Sequence, residues 1–378
     1  MRAAIIGLGF GDEGKGMVTS SLADRHGGCM VVRYSGGHQA GHTAERNGVK
    51  HTFVNFGSAT LLGYPTYWSK HCTFEPIGFL NELTVLIEKM KERFDTIKVY
   101  VHNDCPVTTP YDIAFNQRHQ NDGTCGVGFG ATLQREENHF HLKFSDLYKP
   151  TILKIKLNLI RKYYQLDTNI DMKDFNDAVD IFNSRTVFPS EVVVPVEDNE
   201  IPSFPVTLYE GSQGLLLDQD IGFFPHVTRS NVGRKRLDRF IYHYDEVWYV
   251  TRAYQTRHGK GPMTNEEIPM TLINTESEAN TLNDYQGQFR RTVLDVDLLN
   301  YALEHDRKEK RRVQTEHLVI TCLDQMVDWR FTQHGKVFDC DNEESFINAI
   351  VSALNFTGKV YLSRSSNNEI KEWEGGTL

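Results

Sequence analysis

Residues 9–16 read Gly-Phe-Gly-Asp-Glu-Gly-Lys-Gly, with Gly9, Gly14 and Lys15 at the spacing that opens a phosphate-binding loop. Glycines let backbone N–H groups approach phosphate oxygens. A following helix N-terminus adds positive potential, and a lysine reaches the terminal phosphates. The usual loop then places Ser or Thr on Mg²⁺. Here Gly16 follows, which leaves Asp12 as the candidate metal-holding group. An acid inside a phosphate cradle is electrostatically costly unless a metal or a proton-transfer task offsets it. The plain alternative is a glycine-rich turn with two surface acids, Asp12 and Glu13. Residues 36–43 form a second such segment, Gly-Gly-His-Gln-Ala-Gly-His-Thr. His38 and His42, four apart, could pair on a metal, but a glycine-rich loop fixes no helical face. The alternative is a general acid, since histidine donates protons near neutral pH.

Both segments leave strand-like runs. Ala3 to Leu8 is a short apolar run ending in glycines, and Val31 to Tyr34 precedes the second loop. Gly14 to Asp24 and Ile77 to Phe94 carry helical patterns; Phe346, Ile347, Ile350, Val351 and Leu354 line a late helix face. Further strands are expected at Ile97 to Val101, Val192 to Val196, Val206 to Tyr209, Val247 to Thr251, Leu318 to Cys322 and Lys359 to Leu362. This alternation predicts an α/β fold: a mostly parallel central sheet, flanking helices and a P-loop-like glycine loop after the first strand. No internal repeat or low-complexity linker interrupts it, so residues 1–378 are read as one elaborated α/β domain.

Composition excludes several classes. The 378 residues carry a net charge of -9, which argues against a nucleic-acid partner. The basic run beginning at Arg307 reads as a solvated helix end. Aromatics at 11% exclude intrinsic disorder, and no run approaches the roughly 18 apolar residues of a membrane span. Six scattered cysteines form no C-x-x-C pair, which predicts a reducing, cytoplasmic setting without a zinc cage.

Taken together, Gly11-Asp12-Glu13-Gly14-Lys15-Gly16 and the run VVRYSGGHQAGHT over 31–43 closely resemble the adenylosuccinate synthetase family. Other segments match in order. Tyr209 to Asp218 (YEGSQGLLLD) is similar to E-G-A-Q-G-x-L-L-D, and Phe224 to Asn231 (FPHVTRSN) to Y-P-Y-V-T-S-S-N. Ala253 to Pro262 (AYQTRHGKGP) resembles A-Y-x-T-R-V-G-x-G-P, and Thr321-Cys322-Leu323-Asp324 resembles T-K-L-D. The resemblance implies a ligase that joins L-aspartate to the 6-position of a purine nucleoside monophosphate. The reaction runs through a 6-phosphoryl intermediate, with a nucleoside triphosphate and Mg²⁺. It implies Asp12 as base at purine N1, His42 as acid beside O6 and the γ-phosphate, Lys15 on the triphosphate, and Gln213 near the 6-position. Mg²⁺ would sit between Asp12, the Gly41 carbonyl and the phosphates. Gly11, Glu13, Gly14, Gly16, Gln39, Gly41, Thr43, Thr124, Cys125, Thr228, Asp324 and Ser363 are implied nucleotide-binding positions, with Thr228 near the 5′-phosphate. Gln288, Arg290 and Arg291 fall in the aspartate loop. A homodimer is also implied.

The departures point within the family. Cys125 stands for a Thr in G-T-T-G-R-G, and Gln39 for an Asn. The stretch His139 to Leu147 lacks an arginine that the family donates across its dimer. Gln288 and Phe289 replace the first two arginines of the aspartate loop, leaving Arg290 and Arg291 for carboxylates. The first of these arginines also lies near the ribose hydroxyls in the family, so Gln288 leaves room for a deoxyribonucleotide. Cys322 replaces the lysine that covers guanine, and Leu362-Ser363-Arg364-Ser365-Ser366 replaces S-T-G-P. ATP or dATP is therefore favoured as donor, with GTP open. These changes, with a shortened chain, resemble the phage branch that acts on dGMP to give N6-succino-2-amino-2′-deoxyadenylate for 2-aminoadenine DNA, in the host cytoplasm. Retention of Asp12 favours IMP, yet a carboxylate can also accept from N1–H and the 2-amino group of guanine together. The reading places dGMP ahead of IMP.

Two other classes compete. One is a nucleotide-binding regulator that lost catalysis; Asp12, Lys15 and His42 argue against it. The other is a P-loop NTPase switch, which the missing Ser/Thr after Lys15 disfavours.

Overall fold

The structure is a computed structural model; the described residues are all except 119–123, 167–169, 185–191, 241–242, 277, 279, 281–284, 310–312, 355, 366, 368 and 376–378. Gly123, in the phosphate-contacting loop, and residues 310–312 of the basic run lie outside the described residues.

The chain opens with β1 (Arg2–Gly7), α1 (Lys15–His26) and β2 (Cys29–Arg33). A hairpin of β3 (His42–Arg46) and β4 (Val49–Phe53) follows, then β5 (Thr66–Trp68), α2 (Pro76–Met90) and β6 (Val99–His102). Four helices come next: α3 (Pro110–Arg118), α4 (Phe129–Glu137), α5 (Pro150–Tyr163) and α6 (Lys173–Asn183). They lead to β7 (Val193–Val196), β8 (Val206–Gly214), α7 (Arg234–Phe240) and β9 (Glu246–Arg252). Then come β10 (Gln255–His258), β11 (Phe289–Thr292), β12 (Leu294–Asp295), α8 (Val296–Arg307) and β13 (Thr315–Thr321). The chain closes with β14 (Arg330–Gln333), β15 (Lys336–Asp339), α9 (Glu343–Ala353), β16 (Lys359–Leu362) and β17 (Lys371–Glu372).

Ten strands form the central sheet in the order β17-β16-β13-β9-β1-β8-β2-β5-β6-β7. Every neighbouring pair is parallel except β16 with β17. The expected mostly parallel α/β sheet is what forms. Period-2 alternation sets its two faces. Ala3 and Ile5 pack with Val18 and Leu22 of α1, whereas Ala4 and Ile6 join the core that contains Leu299 and Leu303 of α8.

Local chemistry sets the helix ends. Gly14 holds φ 96, so α1 begins at Lys15 rather than at the glycine. Pro76 sits in the first turn of α2, and the Glu75 carboxylate accepts the Ile77 and Gly78 N–H groups. Lys91 has φ 50, so the helix expected to reach Phe94 stops at Met90 and a 3₁₀ stretch follows. The strand expected over Val206 to Tyr209 runs on to Gly214, and that extension carries Glu210 and Gln213 to the sheet's carboxyl edge. A side chain at Gly214 would collide with the Gly9 carbonyl at 2.1 Å, so only glycine lets β8 end against the first loop. Among the described residues no helix is long and apolar enough to cross a membrane.

One buried acid ties α8 to the sheet. Asp306 accepts the Arg234 N–H and the Tyr249 hydroxyl, both at 2.8 Å. Burial pushes its pKa from 3.8 up to about 7, with the Arg234 N–H and the Tyr249 hydroxyl opposing. Because the folded value is the higher one, the stabilising proton is fully held below the unfolded pKa and lost as pH rises through about 7. Asp306→Asn should therefore gain thermal stability relative to the parent between pH 5 and pH 8.5. Melting curves across that range check this; a pH-independent difference between the two proteins would exclude the buried proton.

Candidate active site

The order β9-β1-β8-β2 puts a topological switch at β1, where ligands of open α/β sheets bind beyond the carboxyl ends of the strands. The first loop leaves β1 there with Gly11, Asp12 and Gly14 at φ 96, 60 and 96. Asp12 is thus a non-glycine residue held in the left-handed region, an arrangement that clusters at functional sites.

Three other strands clamp this loop by consecutive carbonyls. Thr256 Oγ1 donates to Gly11 O at 3.0 Å, Arg252 Nε to Asp12 O at 2.5 Å, and Thr321 Oγ1 to Glu13 O at 2.8 Å. In a trans peptide the next N–H points opposite to the carbonyl. Tethering three carbonyls therefore turns the N–H groups of Asp12, Glu13 and Gly14 away from those tethers. Arg252 also pairs with Glu278 at 2.7 Å. Glu13 is buried; its Oε1 accepts the Gly9 N–H, and its Oε2 has no hydrogen-bond partner 3.6 Å from Lys15 Nζ. Burial raises the Glu13 pKa, against the lowering charge of Lys15.

Gly16 explains the missing Ser/Thr. A Cβ there would stand 2.9 Å from His42 Cβ, Ser58 Oγ and Thr43 O. Bare backbone at position 16 lets β3 lie against α1 and brings His42 beside the loop. His42 Nδ1 bonds Glu210 Oε1 and Nε2 bonds the Ser212 carbonyl, each at 2.9 Å. Both partners are acceptors, so the geometry suits the doubly protonated ring. Burial pushes the His42 pKa down; Arg33 and Lys15 act the same way, and Glu210 opposes. Burial would raise Glu210, but His42, Arg33 and Ser58 hold it down to about 2. The pair is a permanently charged carboxylate behind an imidazole that releases a proton readily.

A cavity of about 630 Å³ opens here, lined by Asp12, Glu13, Lys15, Gly16, Gly41 and His42. Gly14, Gln39, Thr43, Cys125, Asp324 and Ser363 line it too. A second cavity of about 790 Å³ is lined by Gln39, Thr124, Cys125, Gln213 and Thr228. A third, about 510 Å³, is lined by Gln288 and Arg290. Gln286 lines all three. Gln39 lies between the first two with both carboxamide heteroatoms buried and without a protein partner, a carboxamide presented to a ligand.

Two expected residues sit apart from these walls. Gly11 and Arg291 line none of the three cavities. Gly11 is drawn away by Thr256, and the Arg291 guanidinium lies 5.2 Å from the Phe289 ring centre. Arg290 was expected to offer a free fork. Instead its register opposite Arg257 aims it at the Gly259 and Gly261 carbonyls, both 2.8 Å away, and it also pairs with Glu266.

The sequence reading missed several members. Arg33 is fully buried and holds the second loop through Ala40 O at 3.0 Å. Glu210, Thr256, Thr321 and His258 were read only as motif letters, and Arg252 fell between the strand read to Thr251 and the segment read from Ala253. For Glu210 the available signal was an acid placed directly after the strand-like run Val206 to Tyr209. His258 Nε2 is buried without a partner, and the residue lines the first two cavities.

Among the described residues no group of three His, Cys, Asp or Glu could by itself hold a metal. Mg²⁺ on a triphosphate needs only one or two carboxylates, its shell being completed by phosphates and water. Asp12 and Gly41 share the first cavity, as such an ion requires.

A sequence model of the adenylosuccinate synthetase family matches residues 4–360. The adenylosuccinate synthetase of Francisella philomiragia subsp. philomiragia is 28% identical over 318 residues, covering 79% of this chain and 73% of that protein. The fully ligated adenylosuccinate synthetase of Plasmodium falciparum superposes with a TM-score of 0.70 at 17% identity, covering 97% of this chain and 98% of that one. The succinoaminodeoxyadenylate synthetase of cyanophage S-2L, bound to dGMP and dATP as energy donor, gives 0.67 at 12% identity over 98% and 95%. At these identities the two structures speak to the fold.

Proposed function

Because this chain belongs to the adenylosuccinate synthetase family, the C–N ligases that condense L-aspartate with a purine nucleotide, we propose that its nucleotide is dGMP and its product N6-succino-2-amino-2′-deoxyadenylate. The observation that carries this three-substrate reading is the meeting of three cavities at Gln286. Triphosphate, monophosphate and aspartate each need a space, and their reacting ends must touch.

In this reading the first cavity takes the triphosphate. Lys15 and the N–H groups of the tethered loop bind phosphates, while Gly11 shapes that loop. Glu13, Gly14, Gly16, Gly41 and Thr43 line the phosphate path, and Asp324 and Ser363 meet the base. The second cavity takes the monophosphate, with Gln39 and Gln213 at the purine edge and Thr124, Cys125 and Thr228 toward the sugar phosphate. Asp12 removes the N1 proton. O6 then attacks the γ-phosphorus; the O6–P bond forms as the bond to the β-phosphate oxygen breaks. His42 stabilises the transferring charge and supplies a proton. The aspartate amine next attacks C6, a C–N bond forms, phosphate leaves with O6, and the amine gives up a proton. Gln288 and Arg290 line the cavity proposed for aspartate; Arg290 must exchange a loop carbonyl, and Arg291 must leave the Phe289 ring, to reach its carboxylates. Asp12 and the Gly41 carbonyl would hold Mg²⁺, which neutralises triphosphate charge when bound.

Gln288 supports a deoxynucleotide and Cys322 a donor other than GTP, as does the likeness to the cyanophage enzyme bound to dGMP and dATP. ATP or dATP is the proposed donor, and a homodimer the proposed assembly. The one specific feature favouring IMP instead is the carboxylate at Asp12. Phosphate release with Mg²⁺, L-aspartate and ATP, dATP or GTP tests the choice. Turnover with dGMP and little with IMP is expected; turnover with IMP alone would make this an adenylosuccinate synthetase in the narrow sense.

A further inference from the structure

The second cavity contains cationic groups of very different availability. Arg257 is spent: Nε donates to Lys260 O at 3.1 Å, and its terminal nitrogens donate to Pro262 O at 2.9 Å and His226 O at 3.1 Å. Its guanidinium also lies 4.3 Å from the Phe10 ring centre, and burial, with the charge of Arg290, pushes its pKa down to about 10. A group so committed shapes the wall and cannot turn to a ligand.

Arg229 differs. It directly follows Thr228 and lines the same cavity. Its fork is occupied by one carboxylate, that of Glu137 at the end of α4: Nε lies 3.3 Å from Oε1 and Nη2 lies 2.6 Å from Oε2. Glu137 stands on the α4 face that lines this cavity with Gly130 and Gln134. Side-chain exposures of 43% and 59% leave the pair open to solvent, where an ion pair is weak enough to exchange partners. Carboxylate and phosphate present the same two-oxygen edge to a guanidinium plane, and a phosphate dianion carries more charge.

We propose that Arg229 binds the 5′-phosphate of the purine monophosphate within its own chain, exchanging Glu137 for phosphate. This rests on the reading that the second cavity takes the monophosphate. Thr228 brings a neutral hydroxyl to that end of the cavity, and Arg229 brings the charge. Glu137 keeps the fork extended and in plane, so little side-chain freedom remains to be lost when phosphate arrives.

The test compares Arg229→Gln, Arg229→Lys and Glu137→Gln with the parent protein. Calorimetric binding of dGMP and IMP is measured beside that of 2′-deoxyguanosine and inosine, which lack the phosphate. Arg229→Gln should weaken both monophosphates between about 10- and 100-fold, the range of a hydrogen-bonded charge. Nucleoside binding should stay within about twofold. Arg229→Lys should recover part of the loss. Glu137→Gln should tighten monophosphate binding about threefold at low salt, less at high salt. Unchanged monophosphate affinity in Arg229→Gln, or an equal loss for nucleosides, would overturn the assignment while leaving the ligase reading intact. A parent protein that binds no purine monophosphate would overturn both.

Discussion

Replacing Asp12 by Asn is expected to lower kcat by on the order of 10³-fold, the range of a lost general base, while monophosphate affinity changes by less than about threefold. Asn matches Asp in shape and is the side chain most at ease at φ 60, so the loop should keep its conformation. The tethers from Thr256, Arg252 and Thr321 use backbone carbonyls and survive the change. What disappears is the capacity to accept the N1 proton and the carboxylate proposed for Mg²⁺. The two losses separate in binding experiments. A base defect leaves triphosphate–Mg²⁺ affinity intact, whereas a metal defect weakens it. Single-turnover phosphate release with calorimetry distinguishes them, and undiminished turnover would remove Asp12 from the mechanism.

Glu210→Gln should lower kcat about 100-fold with little change in either nucleotide KM, because Glu210 acts through His42 and lines none of the three cavities described above. The carboxylate accepts from His42 Nδ1, from the Ser58 hydroxyl and from the Ser58 N–H at 3.2 Å. A carboxamide supplies one acceptor where two are used and brings a donor to the same place. The pH profile carries the more specific signature. Glu210 raises the His42 pKa against burial, Arg33 and Lys15. Without that negative charge the ring loses its second proton at lower pH, so the alkaline limb of kcat moves toward acid. Glu210 itself, held at about 2, contributes no limb in the working range. His42→Asn should be nearly inactive at every pH. A Glu210→Gln profile superposable on the parent would show that the carboxylate only packs.

Much of the fold was legible because its signals are local. Apolar runs of four to six residues, helical spacing and glycine stops each depend on near neighbours. The mostly parallel sheet followed from their alternation. Two boundaries moved because of a single backbone angle, at Gly14 and at Lys91. The extension of β8 past Tyr209 was hidden because Glu210-Gly211-Ser212-Gln213 reads as polar loop. Only burial between β1 and β2 makes it strand.

The site divides in the same way. By itself the sequence determined the residue types that can do the chemistry: the acid and lysine in the glycine loop, the histidine in the second loop, and the departures at Gln288, Phe289, Cys125 and Cys322. The tertiary structure alone decided which groups work on one another. Strand order places Glu210 against His42 across 168 positions, and puts Arg252, Thr256 and Thr321 on three carbonyls of a loop some 240 to 310 residues earlier. It also spent the fork of Arg290 on loop carbonyls while leaving that of Arg229 on an exchangeable carboxylate. The reason is physical. A side chain's capacity to donate or accept is intrinsic, but whether that capacity is already satisfied depends on contacts between distant segments, and those exist only once the sheet has closed its register.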